Sequence, residues 1–218
     1  MRDKYRSQSL YWYPGTEVLK NNFNLKEQQK LDNLEITYTT RRLAQLYNDP
    51  ITGLFGLTHL QKIHNYIFQD VYPFAGELRK EQIEKGATKF AHPMYIESYG
   101  NSVLKELKGG KSLQGLDKEK FSKQSSFYFS EINILHPFRE GNGRTQREFF
   151  RVLALMNGYE LNWSNIDATS MMKASIKSVT DSYAFKEIFD IAIVNKQPDQ
   201  NLIKEYKSLK LKANELEL

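Results

Sequence analysis

The chain contains no cysteine. Disulfide bridges and thiolate metal sites are therefore excluded, and a reducing cytosol fits the composition. No run of 18 apolar residues occurs, so no transmembrane helix is expected. The first residues, MRDKYRSQSLYWYPGT, have no apolar core of the kind a signal peptide needs. Internal repeats and low-complexity tracts are also missing. What remains is a chain of 218 residues with 40% hydrophobic side chains, including 13 Phe and 13 Tyr. That is enough for one packed core and argues against wholesale disorder. The net charge of +5 suits nucleic acid, an acidic partner or a nucleotide, but an ordinary solvated surface explains it equally well.

The pattern of apolar residues predicts an almost wholly helical protein. A helix is expected over 25–48, ended by the turn residues of NDPITG. From Leu57 onward, Leu57, Leu60, Ile63, Ile67, Phe68 and Val71 fall on one helical face. Residues 81–92, with Gly86 at their centre, form the one plausible β-hairpin, and residues 1–23 are expected to be irregular. Asp117 caps a helix that stops at His136, because Pro137 disfavours helical geometry in the residue before it. A further helix resumes near Gly143 or Arg144 and ends at the Asn157-Gly158 pair. Helices follow at 165–178, 182–195 and 199–216, the last an exposed Lys/Glu-rich arm. The expected division is a domain over 1–195 and a helical extension over 196–218.

The chemistry concentrates in HPFREGNGRTQR, residues 136–147. Its setting is helix, glycine-bearing turn, helix. The first N–H groups of a helix lack intrahelical partners and, with the helix dipole, attract phosphate. Gly141 and Gly143 let the backbone approach an anion closely and adopt positive φ, and Asn142 can add a side-chain donor. Arg144 and Arg147 share a helical face and can clamp two phosphates. Glu140 at the lip suits Mg²⁺, which is commonly held by one carboxylate together with substrate phosphates. His136 is the residue type best suited to accept a proton near neutral pH. Phe138 is expected to point inward and anchor the turn. Taken singly, each of these residues is ordinary surface or turn chemistry. Their meeting at one turn is what signals a nucleotide triphosphate and its metal.

Other nucleotide and metal motifs fail. GGKS at 109–112 lacks the earlier glycine of a P-loop, because Lys105 stands there. GNGRTQ has Gln146 where a dinucleotide fingerprint needs glycine, and no strand precedes it. No HExxH occurs; His59 and His64 are five apart, a poor helical pair for zinc, and read with His92 as structural or surface residues.

HPFREGNGRTQR satisfies every position of HxFx(D/E)GNGRxxR and thereby resembles the Fic family. VYPFAGELRK, TKFAHPMYIESYG and GYELNW are similar to the family's substrate flap and to the segment after its motif helix. The resemblance runs over residues 10–190 and implies a Fic-type helical bundle with one short β-hairpin, the flap, near the active site. It implies a bacterial protein adenylyltransferase that moves AMP from ATP, with Mg²⁺, onto a Ser, Thr or Tyr hydroxyl. By motif position His136 would be the base and Glu140 would hold Mg²⁺. Gly141, Asn142 and Gly143 would cradle the phosphates, Arg144 would bind the outer ones, and Arg147 would grip the γ-phosphate. Lys89 and Phe90 of the flap would lie beside nucleotide and target.

Many members of that family carry an inhibitory helix with the pattern (S/T)xxxE(G/N), whose glutamate pairs with the second motif arginine. SVLKEL at 102–107 has Ser102 and Glu106 but Leu107 in the last position, and no intact copy occurs elsewhere. The chain therefore resembles the members held inactive by a separate small antitoxin. These include toxins that modify DNA gyrase and topoisomerase IV, in a bacterial cytoplasm, and Fic domains of injected effectors. Neither a membrane nor direct nucleic-acid contact is implied. The rival readings are a Fic-type transferase of UMP, phosphocholine or phosphate, and a non-enzymatic helical interaction module.

Overall fold

The computed structural model describes residues 9–86, 88–109 and 111–216. Residues 1–8, at the start of the expected irregular segment, lie outside it. Among the described residues the chain forms eight α-helices: α1 (Gln28–Asn48), α2 (Leu57–Phe68), α3 (Pro93–Gly109), α4 (Lys118–Leu135), α5 (Asn142–Met156), α6 (Ala168–Lys177), α7 (Lys186–Ala192) and α8 (Gln200–Leu216). The strands β1 (Glu84–Lys85) and β2 (Thr88–Lys89) pair antiparallel, Glu84 opposite Lys89 and Lys85 opposite Thr88. No helix is long and apolar enough to cross a membrane among the described residues.

α4 and α5 form the centre, with α3 and α7 against α4 and with α2 and α8 against α5. Leu57, Leu60, Ile63, Ile67, Phe68 and Val71 are all buried, as their spacing predicts. Much of the core is aromatic: Phe129 of α4 packs against Phe150, Phe185 and Phe189. α4 buries Ser122, Ser125, Ser126 and Ser130 completely, small side chains that let its neighbours approach. Asp117 caps α4 by accepting from Lys120 N–H. Gly158, at φ +77°, ends α5 where a Cβ would meet the Asp199 backbone at 2.8 Å.

Residues 9–23 carry no helix or strand, as expected, but are held by an isolated bridge from Trp12 to Leu19 with Tyr11 and Val18 buried. One expectation changes. α8 is not a wholly exposed arm. Tyr206 is 3% exposed, stacks near Phe55 and donates to the Gly53 carbonyl. The high Lys content of the segment hides the one aromatic residue that docks it.

Tyr206→Ala is expected to lower stability by about 2–4 kcal/mol, the usual range for emptying a buried large side chain. Urea denaturation measures it. A change under about 0.5 kcal/mol, the scale of surface substitutions, would show that α8 is not docked.

Candidate active site

The turn between α4 and α5 is built from inside. α4 ends at Leu135, and His136 adopts the left-handed conformation, φ 46° and ψ 61°. That conformation is uncommon for any residue with a Cβ and is held here by its surroundings. Phe138 is 1% exposed and stacks on His64 at 3.9 Å. Asn142 accepts from Phe138 N–H through Oδ1 and donates to the Phe138 carbonyl through Nδ2. His64 Nδ1 accepts from Gly76 N–H, so Nε2 carries the proton and donates to the Glu140 carbonyl at 2.9 Å. Burial pushes the His64 pKa down to about 4, which keeps that tautomer neutral.

Arg79 fastens this turn to the flap. Its guanidinium donates to four backbone carbonyls, those of His136, Glu81, Ala91 and Leu135. Its own N–H donates to the Pro137 carbonyl. Arg79 is 2% exposed. Arg139 pairs with Glu81 at 2.9 Å, a second tie between turn and flap root.

The resulting cavity has a volume of about 670 Å³, and its walls include His136, Glu140, Gly141, Asn142, Gly143 and Arg147, together with Phe90 and Lys85 of the flap. The His136 ring stacks on Phe90 at 3.7 Å. Its Nδ1 lies 3.3 Å from the Asn133 carbonyl, so Nδ1 is the donor and Nε2 is the basic nitrogen. Burial, with the nearby charges of Arg79 and Lys85, pushes the His136 pKa down to about 4. The ring is therefore neutral at pH 7 and able to take a proton.

Gly141, at φ +79°, is the N-cap of α5 and gives it no side-chain cap. The N–H groups of residues 142–144 are thus left for an anion. Arg147 has no carboxylate partner among the described residues; burial, then the charge of Arg144, lowers its pKa. A charged donor with nothing to neutralise it faces the same cavity as the open helix end. Glu140 Oε1 accepts from Gly141 N–H at 2.8 Å. No cluster of three metal-binding side chains occurs among the described residues, so an Mg²⁺ at Glu140 would need phosphate oxygens to complete its shell.

Several expected residues are placed differently. The Asn142 side chain is spent inside the turn, where it satisfies the buried Phe138 backbone, so only its N–H is offered to an anion. Gly143 is helical, and of the two glycines only Gly141 has positive φ. Arg144 does not line the cavity. It turns to α1, where it pairs with Glu35 at 2.6 Å and reaches Thr39, and it lies over the Phe68 ring. Glu35 also accepts from Tyr72 Oη. Lys89 is exposed on β2, opposite Glu84, and does not line the cavity; Glu84 and Lys85 of β1 do. Sequence reasoning missed Arg79 and Gln146, and gave His64 only as a structural or surface residue. Gln146 is 2% exposed in the cavity wall, and its Nε2 has no protein partner. His64 sits on the buried face of α2, a face whose period was visible; Arg79 carried no local signal.

The Fic/DOC family profile matches residues 54–154. Fic of Escherichia coli is 39% identical over 176 residues, which is 80% of this chain and 87% of that protein. The chain belongs to the Fic/DOC family. The protein adenylyltransferase VbhT of Bartonella schoenbuchensis is 41% identical over 178 residues, 82% of this chain; the chain spans 37% of VbhT's length. The ADP-bound N-terminal Fic domain of a VirB-translocated Bep effector from Bartonella quintana superposes with a TM-score of 0.82, at 26% identity, over 88% of this chain and 97% of that one.

Gly141→Ala tests the turn. Its Cβ would lie 2.1 Å from the Phe68 ring, at a φ that side chains rarely adopt. The expected loss is about 2–4 kcal/mol of stability or a displaced turn, read by urea denaturation and by nucleotide affinity. An alanine variant with both unchanged would contradict the described geometry.

Proposed function

We propose that the chain is a protein adenylyltransferase that moves AMP from ATP to a hydroxyl of a target protein. One observation carries the reading: the neutral, outward nitrogen of His136 shares a cavity with the uncapped N-terminus of α5 and unpaired Arg147. Membership of a family with a named adenylyltransferase, and the ADP held by a structural relative, support it.

The target hydroxyl attacks the α-phosphorus, and its proton goes to His136 Nε2. The bond from the α-phosphorus to its bridging oxygen breaks, and pyrophosphate leaves. The chain supplies orientation and charge rather than a covalent intermediate. The N–H groups at the start of α5 bind phosphate oxygens, and Arg147 holds the outer phosphate. Glu140 would hold Mg²⁺, which neutralises phosphate charge when bound. Gln146 Nε2 offers a further donor. Arg144 acts through its ion pair with Glu35, which ties α1 to the motif helix. The flap holds the target as an extended segment by main-chain pairing, a mode indifferent to most side chains.

Arg147 also gives the reading of regulation. A partner that inserts a glutamate beside it would displace the outer phosphate and turn the α-phosphate away from the target. A small protein with the helix pattern (S/T)xxxE(G/N) has that chemistry.

Incubation of a bacterial lysate with ATP labelled in the α-phosphate tests the activity. Protein-bound label is expected with the native chain and a fall of about 10² to 10⁴ with His136→Ala, the usual cost of losing a general base. Full labelling by His136→Ala would refute the base, and label arriving from UTP alone would refute the donor.

A further inference from the structure

A second cavity, of about 690 Å³, opens between the N-terminus of α2, the C-terminal half of α3 and α8. It shares no residue with the cavity around His136. Lys62 of α2, Lys105 and Lys108 of α3 and Lys210 of α8 all line it, and among the described residues no Asp or Glu does. Lys105, Lys108 and Lys210 have no ion-pair partner among the described residues. The three like charges of Lys105, Lys108 and Lys210, drawn from two helices around one concavity, repel one another, an arrangement that an anion relieves.

The helix end points the same way. Gly56 is the N-cap of the 12-residue α2 and supplies no side-chain cap. The N–H groups of His59 and Leu60 are used by the Gly56 carbonyl, whereas those of Leu57 and Thr58 are left at the cavity. A third feature is buried. His59, which lines the cavity and is 4% exposed, donates through Nε2 to the Ile51 carbonyl, and its Nδ1 is buried with no partner. Leu57 and Leu104 supply an apolar floor.

We propose that this cavity binds a small molecule carrying two or more phosphates, held by the α2 N-terminus and the lysine ring. The volume falls in the range of small-molecule sites. Convergence on a helix N-terminus favours phosphate over an extended acidic peptide, whose carboxylates would be spaced too far apart to share two N–H groups. α2 then links the two cavities mechanically, because His64 and Phe68, further along the same helix, support the turn that carries Glu140 and Gly141.

Amide NMR spectra of the full chain titrated with inorganic tripolyphosphate test it. Saturable shifts are expected at Leu57, Thr58, Lys105 and Lys108, separately from any shift at Gly143. The double variant Lys105→Glu, Lys108→Glu should weaken the response at Leu57 and Thr58 by about tenfold or more, with the rest of the spectrum and the melting temperature unchanged. Lys108→Gln alone should give an intermediate loss, which guards against a fault specific to the charge-reversed pair. Shifts confined to residues 142–144 would overturn the proposal. So would a poly-glutamate peptide that moves the Leu57 and Thr58 amides when tripolyphosphate does not.

Discussion

The turn between α4 and α5 depends on the Arg79 guanidinium. It is almost fully buried and bonds only to backbone carbonyls, with no carboxylate in the shell. Burying such a cation costs several kcal/mol. Four charge-assisted hydrogen bonds, each worth about 1.5–3 kcal/mol, are of the size needed to offset that. The arrangement stands only while all four carbonyls converge. Two of them belong to the end of α4 and two to the flap, so one side chain sets the position of His136 relative to the strand pair. Burial pulls its pKa down to about 10, which leaves it charged at neutral pH.

Around that fastening, the turn solves a problem of opposites. An anion site needs unsatisfied donors, whereas a stable turn needs its polar groups satisfied. The two demands are met by different faces. Inward groups are paired completely: Phe138 by Asn142, the Glu140 carbonyl by His64, the His136 carbonyl by Arg79. Outward groups are left open, namely the first N–H groups of α5, the Arg147 guanidinium and the second nitrogen of His136. The cations that lower the His136 pKa are the same kind of charge that draws phosphate. Base strength is therefore exchanged for a neutral ring at working pH.

The motif was legible because its residues are contiguous: His136, Glu140, Gly141, Gly143 and Arg147 were all placed at one turn by spacing alone. The helices were legible from periodicity, with Leu57 to Val71 the plainest case. What could not be read was the direction of a side chain with two possible partners. Arg144 was expected at the phosphates, and its partner Glu35, 109 residues away in sequence, gave no local signal. Lys85 and Lys89 are both exposed hairpin lysines four residues apart, and only Lys85 stands at the cavity. Arg79 is one basic residue among 31, and its role exists only once four distant carbonyls are brought together.

The central claim is that this packing keeps His136 neutral beside the open N-terminus of α5 and Arg147. The direct measurement is the pH titration of its ring by NMR, with the signal assigned by its loss in His136→Gln. The account predicts no inflection between pH 8 and 5 and protonation only near a pKa of about 4. Its folded pKa lies below the usual histidine value, so its contribution to stability is complete above about pH 6.5 and is lost as pH falls towards that lower value. A midpoint at 6.5 or above, the value of an unperturbed imidazole, would contradict it.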